Sequence, residues 1–440
     1  MIPAPKSHAL TWLEDEVFQV GTGGVLCFLP LVRHLGLDRL IEQSRYPQTK
    51  TLSRVASILS FLALKWTNIR RYRADDLWCM DRGLGLFAGL NILPKATWFS
   101  SYSSRVTSAM NTDFLKRMHA LWAKASLYSD TAHLDVTTIP YWGDDTHLEH
   151  HWSGKRNKAL ASMQALLAQD AETGIISYGR VGVTHQQQNQ EILQFLDFYR
   201  SEKSLSKPLR YVVFDSQFTS YENLSRLDDD GILFLTIRRR GKQMVNRIDQ
   251  RPQTAWKTIR VERSSHQKQT LKVHDESVFL RGYDKDIRQI MVIRRGKRKP
   301  AIIITNDFEK PIAQIIQKYA RRWLVEKAIS EPMEFFHLNR VSSSMVIKVD
   351  FDLVMTLLAY NLYRWMARQC HGFAKATAPT LFQKFFANQA EIHIKKEMIE
   401  VALKKKRHLP LLLETMNEFQ DLTYPFLGNK KIQFLGASHT

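Results

Sequence analysis

Tyr319-Ala320-Arg321-Arg322-Trp323-Leu324-Val325-Glu326 is the stretch from which the rest of the chain can be read. Helical spacing puts Tyr319, Arg322 and Glu326 near one stripe, because positions three, four and seven apart share a face. Ile312, Ile315, Ile316, Tyr319 and Trp323 form an apolar stripe beside them, so this helix is expected to dock on a core. A glutamate one turn after an arginine on a docked helix is held in place and aimed. Two earlier aspartates are the groups it could act with: Asp135 in His133-Leu134-Asp135-Val136-Thr137-Thr138, and Asp215 in Tyr211-Val212-Val213-Phe214-Asp215-Ser216. Each sits within or at the end of a short β-branched run that reads as a buried strand.

Composition sets the partner class. The 440 residues carry 63 Lys and Arg against 43 Asp and Glu, a formal net charge of +20, with 44% hydrophobic residues. That is enough apolar material for two or three domains. The charge favours a polyanionic partner, nucleic acid first and an anionic membrane second. Three scattered cysteines, Cys27, Cys79 and Cys370, lack metal-ligand spacing and suit a reducing compartment. The longest apolar runs, Val25 to Val32 and Leu353 to Tyr360, fall short of the roughly 20 residues that span a bilayer. With no secretion signal at the N-terminus, a cytoplasmic, nucleoid-associated protein is expected, with no membrane and no small-molecule substrate.

Five regions follow along the chain. Residues 1–125 read as helices, with Leu52, Val55, Ala56, Leu59, Leu62 and Ala63 at helical spacing behind a Thr51 or Ser53 cap. A helix through Leu84 to Leu90, a break at Asn91 and Pro94, and a third helix from Thr97 to Val106 could form a helix-turn-helix that binds a DNA end; an ordinary helical pair is the plainer reading. Residues 126–237 alternate strands and helices, the first part of an α/β core with a mixed sheet. Residues 238–300 carry short strands flanked by Arg238 to Lys242 and Arg294 to Lys299, an inserted basic β subdomain. Residues 301–370 return to the core with the Glu326 helix and a long helix from Val349 to Gln369. Residues 371–440, with Lys395-Lys396 and Lys404-Lys405-Lys406-Arg407, read as a basic helical tail.

Three carboxylates brought together repel one another unless a cation neutralises them. Hard divalent ions suit oxygen ligands, so Asp135, Asp215 and Glu326 suggest Mg²⁺, with Mn²⁺ able to substitute. Two such ions roughly 3.5–4 Å apart can activate an attacking oxygen and stabilise the leaving oxygen of a phosphodiester. Taken alone, these residues have plainer uses: Asp135 and Asp215 can end strands or cap turns, and Glu326 can pair with Arg322 at i,i+4 for a few tenths of a kcal/mol. Ser153 to Lys158 is a candidate phosphate-binding loop through Lys155 and Arg156. Asp144, Asp145, His147, Glu149, His150 and His151 cluster nearby, and are read as a polar loop rather than a metal site. Trp256 can stack on an unpaired base or serve as the core aromatic of its module, and the core role is favoured.

The chain resembles the IS4-like DDE transposases of bacterial insertion sequences. The likeness rests on Leu134-Asp135-Val136-Thr137-Thr138, on Val213-Phe214-Asp215-Ser216-Gln217-Phe218 followed by Glu222-Asn223-Leu224, and on Tyr319-x2-Arg322-x3-Glu326. The long gap between Asp215 and Glu326 leaves room for the β insertion of that class. The resemblance covers about residues 130–365 and implies an RNase H-like core, with Asp135, Asp215 and Glu326 as catalytic ligands of two Mg²⁺ ions. It implies hydrolysis at transposon ends, attack of the freed 3'-hydroxyl on target DNA, and Tyr319 and Arg322 at a phosphate near the cleaved end. It also implies double-stranded DNA (inverted-repeat ends and target) as partner and a homodimer on DNA. One position departs: the family's lysine, seven residues after the glutamate, is Met333 here, directly after Pro332. Lys327, Lys348 and His337 are the nearest substitutes in sequence. A stand-alone nuclease on the same core and a catalytically decayed DNA-binding protein are the alternatives.

Overall fold

The computed structural model describes residues 15–69, 76–141, 148–153, 157–202, 207–262, 268–294, 300–338 and 345–437. In chain order the first elements are β1 (Glu16–Val20), α1 (Leu29–His34), α2 (Leu37–Glu42), α3 (Arg54–Trp66), α4 (Arg82–Phe87), α5 (Ala96–Ser103) and α6 (Ser108–Lys124). Then come β2 (Thr131–Pro140), β3 (His150–Ser153), β4 (Lys158–Asp170), β5 (Ile176–Val181), α7 (Glu191–Arg200), β6 (Tyr211–Val213), α8 (Tyr221–Asp229) and β7 (Leu233–Ile237). They continue with α9 (Lys242–Asp249), β8 (Lys257–Glu262), β9 (Lys268–Leu280), β10 (Tyr283–Arg294), β11 (Ala301–Thr305), α10 (Ile312–Ala320), α11 (Arg322–Glu334) and α12 (Val346–Gln369). The last are α13 (Ala378–Leu381), β12 (Ala390–Ile394), β13 (Met398–Leu403), α14 (Leu409–Asn417), β14 (Thr423–Tyr424) and β15 (Lys430–Gly436). The described residues contain no helix long and apolar enough to cross a membrane. The chain divides into two compact units: residues 1–121, 138–163 and 329–440 form one, and residues 122–137 and 164–328 the other.

The second unit is an RNase H-like core carrying an insertion. The central strands β2, β6 and β7 run parallel, and β4 with its hairpin partner β5 lies on the far side of β2. Parallel strands have cover on both faces and therefore read as unbroken apolar runs; Tyr211, Val212 and Val213 are all buried. Beyond β7 the sheet turns antiparallel in the order β11, β10, β9, β8.

Residues 238–300 form the inserted subdomain, and it is continuous with the core. Their strands extend the core sheet, and Val261, Leu271, Val273, Ile290 and Val292 share one apolar cluster with Val213, Leu235 and Ile303 of the core and Ile315 and Ile316 of α10. Short strands with one apolar face cannot bury it alone, and the open edge of β11 gives them backbone partners. The insertion also holds a helix, α9, whose Met244 and Ile248 cover Met291 and Ile302 on the opposite face.

The first unit is built on two buried helices. Ser53 caps α3, its Oγ accepting from the Ala56 amide at 3.1 Å, and the helix is buried over nearly its whole circumference. It packs on α12, which is likewise buried on all sides. Aromatic side chains fill the seam: Phe61 meets Phe351 edge-on at 4.9 Å, and Phe28 stacks on Trp66 at 4.5 Å. Gly24 is where backbone must approach backbone, since a Cβ there would lie 2.2 Å from the Phe386 carbonyl oxygen. The helix pair expected between Leu84 and Val106 is present as α4 and α5. Helix α5 buries Phe99 and Tyr102 and leaves Ser100, Ser101, Ser104 and Arg105 around its exposed side.

The basic tail expected to be helical holds α13 and α14 and also contributes four strands to a five-stranded sheet in the order β1, β12, β13, β15, β14, whose edge strand β1 comes from residues 16–20. Ile392, Ile394, Ile399, Val401 and Leu403 are buried at every second position, the period of a strand with one covered face. Lys395 and Lys396 occupy the turn between β12 and β13, and Lys404 to Arg407 follow β13. The lysine runs mark the ends of strands here, not the face of a helix.

Lys65 of α3 is one of the buried charges of this unit. Its Nζ lies 2.8 Å from an Asp352 carboxylate oxygen and donates to the Phe336 carbonyl at 2.9 Å. Removing one partner of a buried pair leaves an uncompensated charge and costs about 3–5 kcal/mol, whereas replacing both by apolar groups is often neutral. Asp352→Ala is therefore expected to lower the unfolding free energy by about 3 kcal/mol. Lys65→Met combined with Asp352→Leu is expected to recover most of the loss. Chemical denaturation followed by circular dichroism checks both, and equal stability of wild type and Asp352→Ala would refute the assignment.

Candidate active site

Strand register brings the two aspartates together. The parallel ladder between β2 and β6 pairs Thr131 with Tyr211, Ala132 with Val212 and His133 with Val213. Carried two residues further, that register sets Asp135 level with Asp215, and the two-residue period keeps both on one face. The ladder stops at Val213, and Phe214 turns its amide to the Leu235 carbonyl of β7 at 3.1 Å. Asp215 thus stands at the carboxyl end of its strand, where α/β sheets gather ligands.

Each carboxylate is fixed by the amide next to it. Asp135 Oδ1 accepts from the Val136 amide at 3.0 Å, and Asp215 Oδ1 accepts from the Ser216 amide at 2.6 Å. Their Oδ2 atoms converge on one cation: Arg322 Nη1 lies 3.4 Å from Asp135 and Arg322 Nη2 lies 3.9 Å from Asp215. Arg322 and Asp135 are buried, while the Asp215 side chain is 41% exposed. The site is open on the Asp215 side and closed behind Asp135.

The helix expected to run unbroken through Tyr319 and Glu326 is divided at Arg321, with α10 ending at Ala320 and α11 starting at Arg322. Tyr319 packs by its ring against the apolar cluster under α10, and the Arg322 guanidinium lies 5.7 Å from the centre of that ring. Burial pushes the Tyr319 hydroxyl up to about 12, with Arg322 opposing the shift, so it stays a proton donor at neutral pH. His133 precedes Asp135 by two residues and is buried. Burial, reinforced by Lys318, Arg322 and Arg321, pushes its imidazole down to about 3; it is neutral and adds no charge. Its Nε2 has no hydrogen-bond partner among the described residues.

Asp135, Asp215, Tyr319 and Arg322 are thereby assembled within the second unit. Glu326 lies in α11, one turn after Arg322, and its side chain is outside the described residues. Lys155 and Arg156 are outside them too, as are residues 142–147 of the histidine-rich loop and residues 295–299 of the second basic run. Of the loop that is described, Glu149 and His151 sit side by side at 3.5 Å in the first unit. Trp256 is half-buried against Ile248, Met291 and Ile302, with the His274 ring 6.0 Å away. Of the substitutes for the lysine at Met333, His337 is engaged with the Asn68 carbonyl at 3.2 Å, and Lys348 reaches Ser100 at 3.5 Å.

Two features of the site were not read from the sequence. One is the turn of Arg322 to the aspartates: i,i+4 spacing points only along its own helix, to Glu326, and the resemblance implies a phosphate. The other is the glutamine-rich turn at residues 184–190. It packs against the turn that Asp215 caps, and its run of amides was the signal available.

Comparison with known proteins comes at two levels. A solved structure of a piggyBac transposase synaptic complex with hairpin DNA aligns over 91% of this chain and 81% of that one, at 9% identity and a TM-score of 0.44. That likeness is too distant to assign a fold, partner or activity. Among curated proteins, none matches the chain in sequence. Residues 131–362 match the transposase DDE domain family. This stretch is more than half of the chain, runs from the first residue of β2 into α12, and includes Asp135, Asp215, Tyr319, Arg322 and Glu326. The chain belongs to the transposase DDE domain family.

Proposed function

We propose that this protein is a metal-dependent DNA transposase that hydrolyses phosphodiesters at the ends of its element and joins the 3'-hydroxyl to target DNA. The observation that carries the reading is the convergence of Asp135 and Asp215 on a single guanidinium. Two carboxylates pinned by backbone amides, with their remaining oxygens turned to one cation, form a hard oxygen donor set of the kind Mg²⁺ and Mn²⁺ prefer. Asp135 and Asp215, with Glu326 from α11, would hold the metal, two ions being expected. When bound, such ions stabilise negative charge on the attacking and leaving oxygens of a phosphodiester.

The chain's own residues do the rest. A guanidinium has five N–H donors in a planar fork, so Arg322 can hold a carboxylate on one edge and donate to a phosphate oxygen on another. Tyr319, kept protonated by burial, donates a second hydrogen bond to the same group. Neutral His133 backs the site without opposing a cation. The net charge of +20 draws the polyanion in and makes binding salt-dependent. Synapsis of two ends calls for a homodimer on DNA, and Lys155 and Arg156 remain the proposed further DNA contacts, while Trp256 takes the core role. Membership of the IS4-like class rests on the Tyr319-x2-Arg322-x3-Glu326 spacing, and a cytoplasmic, nucleoid-associated location goes with it. Met333 favours the second reading, a DNA-binding protein with a disabled centre, because a thioether cannot neutralise phosphate.

The test uses purified full-length protein, a duplex carrying the inverted repeat that should flank its own gene, and a supercoiled target, with Mg²⁺ or with EDTA. Metal-dependent nicks at the repeat boundary and joined products are expected. Specific binding with no cut under Mg²⁺ or Mn²⁺ would establish the second reading. Asp135→Asn and Glu326→Gln are expected to reduce cleavage to background while end binding stays close to wild type; undiminished cleavage by either variant would remove that residue from the site.

Arg322→Ala isolates the counter-charge. Without the guanidinium, the two carboxylates lose the cation they share. The metal-free protein is expected to melt at a lower temperature than wild type, and Mn²⁺ is expected to raise its melting temperature by more than it raises that of wild type. Equal metal-induced shifts, read by differential scanning fluorimetry, would show that Arg322 does not share the acids with the metal.

A further inference from the structure

Residues 184–190 read Thr184-His185-Gln186-Gln187-Gln188-Asn189-Gln190, five consecutive amides without a lysine or arginine. In a chain of formal net charge +20, an uncharged stretch beside the acids needs a reason. The turn joins β5 to α7, and polar bonds hold it. Gln188 is buried and donates Nε2 to Gln164 Oε1 of β4 at 2.6 Å. Asn223 of α8 donates Nδ2 to the Asn189 carbonyl at 2.6 Å. Within the turn, the Gln187 and Gln188 amides donate to the Thr184 carbonyl at 3.0 and 3.1 Å, and the Gln190 amide donates to the Gln187 carbonyl at 2.9 Å.

Anchored this way, the turn presents Gln186, Gln187, Asn189 and Gln190 to solvent. Its last part, Gln188–Gln190, packs against Ser216–Phe218, the turn capped by Asp215. A merely solvated connector has no need of a buried glutamine and a second clamp from α8. Fixing the backbone before any ligand arrives lowers the ordering cost of binding.

We propose that this amide rim reads base edges of the DNA that lies beside the acids. The proposal rests on the reading of Asp135 and Asp215 as a DNA-cleaving centre. A carboxamide offers one acceptor and paired donors, the combination that matches adenine N6 and N7 in a bidentate contact. Cations supply affinity through phosphates, which carry no sequence information directly; uncharged donors and acceptors at base edges supply discrimination. The rim thus gives the site what the basic surface lacks, a preference among base pairs next to the cleavage position.

The test compares wild type with Gln186→Ala/Gln187→Ala/Asn189→Ala and, separately, with the single variant Gln187→Glu. Equilibrium binding is measured in Ca²⁺ to the inverted-repeat duplex and to duplexes with one base pair changed beside the repeat boundary. Wild type is expected to favour the unchanged duplex by about tenfold per changed base pair, the lower part of the usual range for a specific contact. The triple variant is expected to fall within about threefold for all duplexes, with an unchanged slope of log K on log salt because no cation is removed. Gln187→Glu is expected to shift preference toward cytosine, whose N4 donates to a carboxylate, and so keeps the proposal testable if the triple variant does not fold. Full discrimination in both variants, a reduced salt slope in the triple variant, or no preference in wild type would overturn it. Cleavage of the same duplexes in Mg²⁺ or Mn²⁺ is scored separately. Base preference with no cutting defeats the transposase reading and leaves the rim standing; boundary cutting with unchanged preference in both variants defeats the rim alone.

Discussion

Arg322 lies between Asp135 and Asp215, and the arrangement of the second unit makes sense around that contact. Two unit charges about 4 Å apart interact by roughly 4 kcal/mol at an effective dielectric near 20, so two carboxylates cannot be gathered at low cost without a positive group. The chain supplies one from the first residue of α11. The compensation is uneven. Asp135 is buried and lies at 3.4 Å, while Asp215 is half-exposed at 3.9 Å, where solvent screens part of the interaction. Asp215 is therefore the side from which a ligand can enter with least desolvation.

Placing that guanidinium depends on the insertion as much as on the core. Helix α10 delivers the chain to Arg322, and its Ile315 and Ile316 are buried in the cluster that Val261, Leu271 and Val273 of the inserted strands complete. The strands between β7 and β11 are thus part of the seat on which the arginine-bearing segment rests. The break at Arg321 lets α10 follow that seat and α11 take a new start, with Arg322 at its first position facing the acids.

The first unit depends on a different device. Its two central helices are apolar nearly all round, and such helices can slide or rotate against each other unless something sets their register. Lys65 joined to Asp352, with Trp66 Nε1 donating to the Ala359 carbonyl at 3.2 Å, ties α3 to α12 at defined positions. Tyr363, whose hydroxyl donates to the Trp66 carbonyl at 2.9 Å, adds a third tie. Buried polar contacts of this sort set which packing is chosen more than how stable it is.

The sequence by itself determined a good deal. Buried strands at Asp135 and Asp215 followed from β-branched runs. The Ser53 cap of α3 and the apolar faces of α10 and α12 followed from residue type and period. The carboxylate candidates and the family likeness were legible because they are local patterns. Tertiary structure alone decided the rest: that β2 and β6 are parallel in a register levelling Asp135 with Asp215, that Arg322 turns to the acids, that the inserted strands merge with the core sheet, and that the lysine-rich tail forms strands. Each of these depends on which distant backbone groups pair and which apolar faces meet. Neither local propensity nor side-chain spacing encodes those choices, because strand register and sheet order are settled by hydrogen bonds and burial between segments far apart in the chain.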